Sequence, residues 1–281
     1  VTDGDQVAFV LGGGGVLGAA EVGMLRALAD AGITPDLVVG TSIGAINGAV
    51  VAADPDIAVE RLAALWEAFA ASSVFGPVVR RLATFVRTGT HLETPDPLRD
   101  LLRRHLPVER FDQLRVPFQC VAASIERAAE HWFTSGPLLD AVLASSAVPG
   151  VFPPVAIDGE HYLDGGLVNS LPVGRAVELG ARRIFVLHVG RIDQPLQPPR
   201  RPWDVALVAF EVARRHRFTR DLADAPEGVE VHVLPTGTPA TPIANVRYRD
   251  FTAAAKRIER AHAATASYLV EHGVEPGVTG G

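Results

Sequence analysis

At 281 residues the chain is long enough to bury a large core within one α/β unit. Its net charge of −6 offers no electrostatic case for binding nucleic acid, and its single cysteine excludes an intramolecular disulfide and suits a reducing compartment. No stretch reaches the ~18–20 consecutive apolar residues of a membrane span. The uncharged stretch 7–20 follows Asp3 and Asp5 rather than the basic residues of a secretory leader, so a soluble protein is expected.

The apolar Val7–Leu11 reads as a first strand. It runs into Gly12-Gly13-Gly14-Gly15-Val16-Leu17-Gly18, and a helical pattern follows over 19–31. Glycines let the backbone approach a ligand and aim several N–H groups at one point. Three chemistries use such a passage. A dinucleotide fingerprint wants an acid about 20 positions on, at the end of the second strand, where this chain has Val39-Gly40. A phosphate-binding P-loop wants Gly-Lys-Ser/Thr after the glycines, and Leu17-Gly18-Ala19 does not supply it. An oxyanion hole, with backbone donors waiting for the charge of a tetrahedral intermediate, fits best.

The second strand, 37–39, opens Gly40-Thr41-Ser42-Ile43-Gly44, and a helix-forming stretch follows over 45–53. A serine on a sharp strand-to-helix turn has its hydroxyl pushed out above the sheet, and small neighbours relieve the crowding. The position is also a helix N-terminus, where backbone N–H groups favour developing negative charge. Ser42 therefore reads as a nucleophile, against the alternative of a helix N-cap with no other task. Consecutive parallel strands ending in the glycine loop and the serine turn would let the two share a crevice.

Further along, Ala58–Ala71 places Leu62, Leu65, Trp66 and Phe69 at helical spacing. Segment 73–88 mixes apolar residues with Arg80, Arg81 and Arg87, which suits either ordinary packing with a solvated face or an interfacial helix or lid. Phe118–Ser124 and 130–133 read as a hairpin-like pair of strands, with Cys120 a small buried hydrophobe. A short helix is expected over 137–145, with Pro near its start. Asp164-Gly165-Gly166 follows the apolar Tyr162-Leu163. Alone it reads as a turn, but Ser42 needs a base, and a carboxylate within reach would take its proton and return it to the leaving group.

Strands are expected over 184–189 and 229–234. His188 and His232 follow Asp164 in the order Ser…Asp…His that an α/β-hydrolase triad would require. Segment 195–221 begins rich in proline and becomes helical around 203–210. Its Arg214-Arg215-His216-Arg217 run is either a solvated helix end or an attractor for anionic head groups. A terminal helix over 251–271 precedes a loose tail, 273–281. Alternating strands and helices predict an α/β fold, a mostly parallel central sheet with helices on both faces. One domain over 6–272 is expected, with its motifs in 6–190.

The glycine loop Gly13–Gly18, the serine turn, the block Ala144-Ser145-Ser146-Ala147-Val148-Pro149-Gly150-Val151-Phe152-Pro153-Pro154 and Asp164-Gly165-Gly166 occur in the order found in patatin-like phospholipases, which the chain resembles over most of 6–190. The resemblance implies a three-layer α/β/α fold and a serine–aspartate dyad, Ser42 as nucleophile and Asp164 as base, with no catalytic histidine. It implies oxyanion donors at Gly14 and Gly15 with their neighbour Gly13, and supporting roles for Gly18, Gly40, Gly44, Gly165 and Gly166. No metal or organic cofactor is implied. The expected partner is a lipid or other acyl-ester substrate met in the cytoplasm or at a membrane surface, with no nucleic acid. Many relatives carry Arg or Lys where this chain has Leu17, which leaves open a less polar substrate or a weakened enzyme. An acyltransferase or thioesterase would use the same acyl-enzyme. A module that only binds lipid or a partner draws support from Leu17 and the two amphipathic segments.

Overall fold

The computed structural model describes residues 6–72, 84, 87–189, 195–199, 202–237 and 253–274. Within them the chain runs β1 (Val7–Leu11), α1 (Ala19–Asp30), β2 (Leu37–Thr41), α2 (Ile43–Ala53), α3 (Ala58–Ala71), α4 (Asp96–His105), β3 (Phe118–Ser124), β4 (Ala129–Phe133), α5 (Leu138–Ser145), β5 (Val155–Ile157), β6 (Glu160–Asp164), α6 (Val173–Glu178), β7 (Arg183–Leu187), α7 (Pro202–Ala223), β8 (Glu230–Leu234) and α8 (Ala254–Glu271). The hydrogen-bonded path is β5-β6-β3-β2-β1-β7-β8, with β4 also on β3. The β2, β1, β7 and β8 neighbours pair in parallel, as do β2 and β3, and the antiparallel pairs gather at one end.

Side chains alternate across a strand, and β1 shows what that does here. Val7, Phe9 and Leu11 face a large core built with α1, α2, α3, α4, α5 and α8, whereas Ala8 and Val10 face a smaller one with residues of α6 and α7. Helices thus cover both faces, which explains why β1 and β2 are buried throughout and read as continuous apolar runs. The hairpin of β3 and β4 forms as its pattern predicts. The helix expected around 203–210 is longer than its pattern suggested and continues to Ala223.

The pairing of β3 brings distant segments together. Val121 pairs with Thr41 of β2 and Trp132 of β4, so these two lie on opposite edges. Ala122 pairs with His131 of β4 and Asp164 of β6. By elimination β2 and β6 share one edge of β3, end to end, with Thr41 and Asp164 opposite successive residues.

The tail beyond Val274 and most of the 73–88 segment lie outside the described residues. No helix among the described residues is long and apolar enough to cross a membrane.

Candidate active site

Ser42 occupies the step from β2 into α2 with φ 56° and ψ −122°. A side chain rarely adopts this backbone shape, at a cost of order 1–3 kcal/mol, and it persists only where the surroundings enforce it. Three contacts do so. The Ser42 N–H donates to Ser145 Oγ at 2.9 Å, and the preceding Thr41 hydroxyl donates to the Asn169 carbonyl at 2.8 Å. Gly44 brings the start of α2 so close to the end of β1 that a Cβ there would overlap the Leu11 carbonyl. Gly40 is similarly tight, since a Cβ would meet the Gly44 carbonyl and the Ala45 backbone.

The Ser42 side chain does not cap α2. Its hydroxyl instead donates to Asp164 Oδ2 at 2.6 Å, within the range of short, charge-assisted O–H···O bonds. The other carboxylate oxygen accepts the Gly166 N–H at 2.7 Å, and the Asp164 N–H donates to the Ala147 carbonyl at 2.9 Å. Gly165 makes this turn possible, because a Cβ would overlap the Val121 carbonyl. Ser42 and Asp164 are both buried. Burial pushes the Asp164 carboxyl up to about 6, with the Ser42 and Gly166 hydrogen bonds pulling the other way. A carboxylate so tuned is half-poised to gain and lose a proton near neutral pH, as general-base chemistry requires.

The glycine loop lies against this pair. A Cβ on Gly13 would sit 3.5 Å from Ser42 Cβ. The Gly13 N–H, however, donates to the Ser170 carbonyl at 3.1 Å, so it is not free to meet a substrate oxygen while that bond stands. Gly15–Gly18 form one turn of 3₁₀ helix with Gly14 before it, and the Leu17 N–H closes back on the Gly14 carbonyl at 3.2 Å. Gly14 and Gly15 have no backbone acceptor for their N–H groups among the described residues, as the first donors of a helix do not. Gly15 has φ 56°. A Cβ on Gly14 would overlap Val189, and one on Gly18 would lie 2.6 Å from the Ile43 side chain, so the loop is wedged between the end of β7 and the serine helix. Leu17 is partly buried and packs on the main core.

The two candidate histidines have other surroundings. Burial, and then Arg214 and Arg215, hold His188 well below the usual imidazole range, and its ring faces Phe218 at 6.3 Å. His232 on β8 stacks on Phe185 at 5.0 Å, bonds the Tyr268 hydroxyl at 3.2 Å and lies 2.8 Å from a Glu230 carboxylate oxygen. Both oxygens of Asp164 are engaged, neither by an imidazole. The basic run on α7 is divided: Arg214 is buried on Glu211 at 2.8 Å, whereas Arg217 is exposed and pairs with Glu130 at 2.6 Å. Cys120 is buried and inert, its thiol pushed up by burial. Among the described residues, no group of three or more His, Cys, Asp or Glu side chains gathers to hold a metal.

Ser145 lies in the small-residue and proline block 144–154, in which no single residue stood out by sequence. Its hydroxyl accepts the Ser42 N–H, and the signal available was a small polar residue in a proline-bounded segment just ahead of Asp164.

Residues 9–177 match the family model described as patatin-like phospholipase. A patatin-like phospholipase domain-containing protein of Caenorhabditis elegans, ZK370.4, is 34% identical over 69% of this chain and 14% of its own length. Lysophospholipase nte1 of Aspergillus terreus is 32% identical over 68% of this chain and 12% of its own. Patatin-like phospholipase domain-containing protein 7 of Mus musculus is 32% identical over 68% and 14%. The chain therefore spans only 12–14% of the length of these curated relatives. Among solved structures, VipD from Legionella pneumophila aligns over 95% of this chain and 67% of its own, with a TM-score of 0.47 and 15% identity.

Proposed function

This chain belongs to the patatin-like phospholipase family, and from that premise we propose that it is a lipid acyl hydrolase using Ser42 as nucleophile and Asp164 as its base. The observation that carries the proposal is the buried 2.6 Å bond from Ser42 Oγ to Asp164 Oδ2. Asp164 takes the hydroxyl proton as Ser42 Oγ forms a bond to the ester carbonyl carbon. The carbonyl oxygen, now an anion, meets the N–H groups of Gly14 and Gly15, while the start of α2 adds the positive end of its dipole. Collapse of the intermediate breaks the bond to the leaving alcohol, which takes the proton from Asp164. Water then attacks the acyl-enzyme, gives its proton to the same carboxylate, and releases the fatty acid as Ser42 is restored.

Leu17 bears on substrate rather than on the bonds made and broken. It supplies no charge to the loop, so backbone donors alone stabilise the oxyanion from that side. Esters whose reacting end is uncharged are the expected class.

A fluorophosphonate probe tests the proposal on the whole chain, alongside a panel of lipid esters with and without anionic vesicles. Labelling and ester cleavage by the wild type, both lost in Ser42→Ala, are the expected results. Folded wild type that takes no label, or Ser42→Ala that still does, removes the nucleophile and the proposal with it.

A further inference from the structure

α1 begins as an apolar helix, Ala19-Ala20, and then places a carboxyl, Glu21, in its first turn with no exposure to solvent. An acid there is costly unless something uses it. Its Oε2 accepts a hydrogen bond from Asn47 Nδ2 at 2.7 Å, and the same amide nitrogen donates to the Gly18 carbonyl at 3.1 Å. Asn47 Oδ1 in turn accepts from Trp66 Nε1 at 3.2 Å. Asn47 belongs to α2, the helix that Ser42 opens. Gly18 ends the loop that contains Gly14 and Gly15, and Glu21 stands on the helix that the loop feeds. One amide thus ties the two helices together where their N-termini must present the nucleophile and the oxyanion donors at a fixed separation, and Trp66 fixes that amide from α3.

We infer that Glu21 is a positioning residue, holding the Gly14–Gly15 donors in register with Ser42 through Asn47. The inference rests on the acyl-hydrolase reading for its effect on turnover, but not for its effect on the loop. Burial raises the Glu21 pKa well above the ordinary glutamate range, with the Asn47 bond and the Gly12 backbone only partly opposing this. No charged group counters it among the described residues. Those nearest along the outer face of α1, Arg26 and Asp30, pair with Glu259 and His262 of α8, which packs on α1. The ionised form of Glu21 would put an unpaired charge beneath the loop.

The test compares Glu21→Gln, Glu21→Leu and wild type as full chains. Glutamine keeps an oxygen for Asn47 and cannot ionise, whereas leucine keeps bulk and leaves an Asn47 N–H without its acceptor. Hydrogen exchange over residues 12–20 is the first readout. The leucine variant should exchange faster there, with the amides of the more distant β8 unchanged, and the glutamine variant should match wild type. Turnover is the second readout. In the leucine variant kcat should fall on the order of 10²-fold with KM little changed, the scale expected for an ångström of misplacement. The glutamine variant should restore kcat. Unaltered loop exchange in folded Glu21→Leu overturns the inference, even if wild type hydrolyses no ester offered. So does a glutamine variant as impaired as leucine. An inactive wild type whose loop loosens in Glu21→Leu instead counts against the hydrolase reading alone. If Glu21→Leu does not fold, Asn47→Ala carries the exchange comparison, and unchanged exchange there overturns the inference equally.

Discussion

Asp164 gives the most quantitative prediction. Its pKa is displaced from 3.8 to about 6, chiefly by burial. As the base for Ser42 it must be ionised in the free enzyme, so kcat/KM should fall on the acid side with a midpoint near pH 6. At about pH 5 only about a tenth of the carboxyl is ionised, and the rate should stand roughly tenfold below its neutral plateau. The same displacement has a thermodynamic face. The folded state binds this proton more tightly than the unfolded chain, so the group favours folding most below about pH 3.8. That contribution is lost as pH rises through about 6. Above that, the native protein carries a cost on the order of 3 kcal/mol for keeping the carboxylate buried. Asp164→Asn should therefore lose turnover and yet gain stability relative to wild type between about pH 4 and 6, keeping the gain at higher pH. Initial rates on a short-chain chromogenic ester across that range, with chemical denaturation of both proteins, measure the two effects. A wild-type profile flat down to about pH 4.5, or an asparagine variant that turns over normally, would show that Asp164 is not the base.

Ser145→Ala leaves the Ser42 N–H without its acceptor, so unfolding should become easier by about 1–3 kcal/mol. Labelling of Ser42 by the fluorophosphonate should also slow; denaturant curves and labelling rates check this, and an unchanged pair of values would show that the turn holds its shape without Ser145. His188→Gln and His232→Gln should each retain most of the turnover in folded protein, because the bonds to Asp164 come from Ser42 and Gly166. A steady-state assay showing loss in either would point to a triad.

The sequence was most readable where geometry demands a particular residue. Gly40 and Gly44 stand where a Cβ would overlap backbone, and Gly165 does the same beside Asp164, so the turns around both groups were visible as glycine patterns. β1 and β2 were visible because burial on both faces demands unbroken apolar runs. Contacts between segments distant in sequence were not readable. Nothing local announces that Ser145 meets the Ser42 N–H, or that Ser170 takes the Gly13 N–H. Glu21 was hidden because an acid in the first turn of a helix looks like an ordinary response to the helix dipole. Only its burial and the Asn47 amide distinguish it. The reach of α7 to Ala223 was obscured by its Arg-rich stretch, which looked like a helix end because its ion-pair partners, Glu211 excepted, lie far off or further along the helix.

The shared edge of β3 carries a consequence for how this protein can vary. Ser42 and Asp164 are far apart along the chain, yet their spacing is gauged by the single peptide step from Val121 to Ala122, against which Thr41 and Asp164 are registered. That strand works as a ruler with two adjacent marks. An inserted residue or a bulge at this step would move the two marks apart without altering the serine turn, the glycine loop or the aspartate. Changes in length elsewhere leave the gauge untouched, whereas residues 120–122 must keep their count.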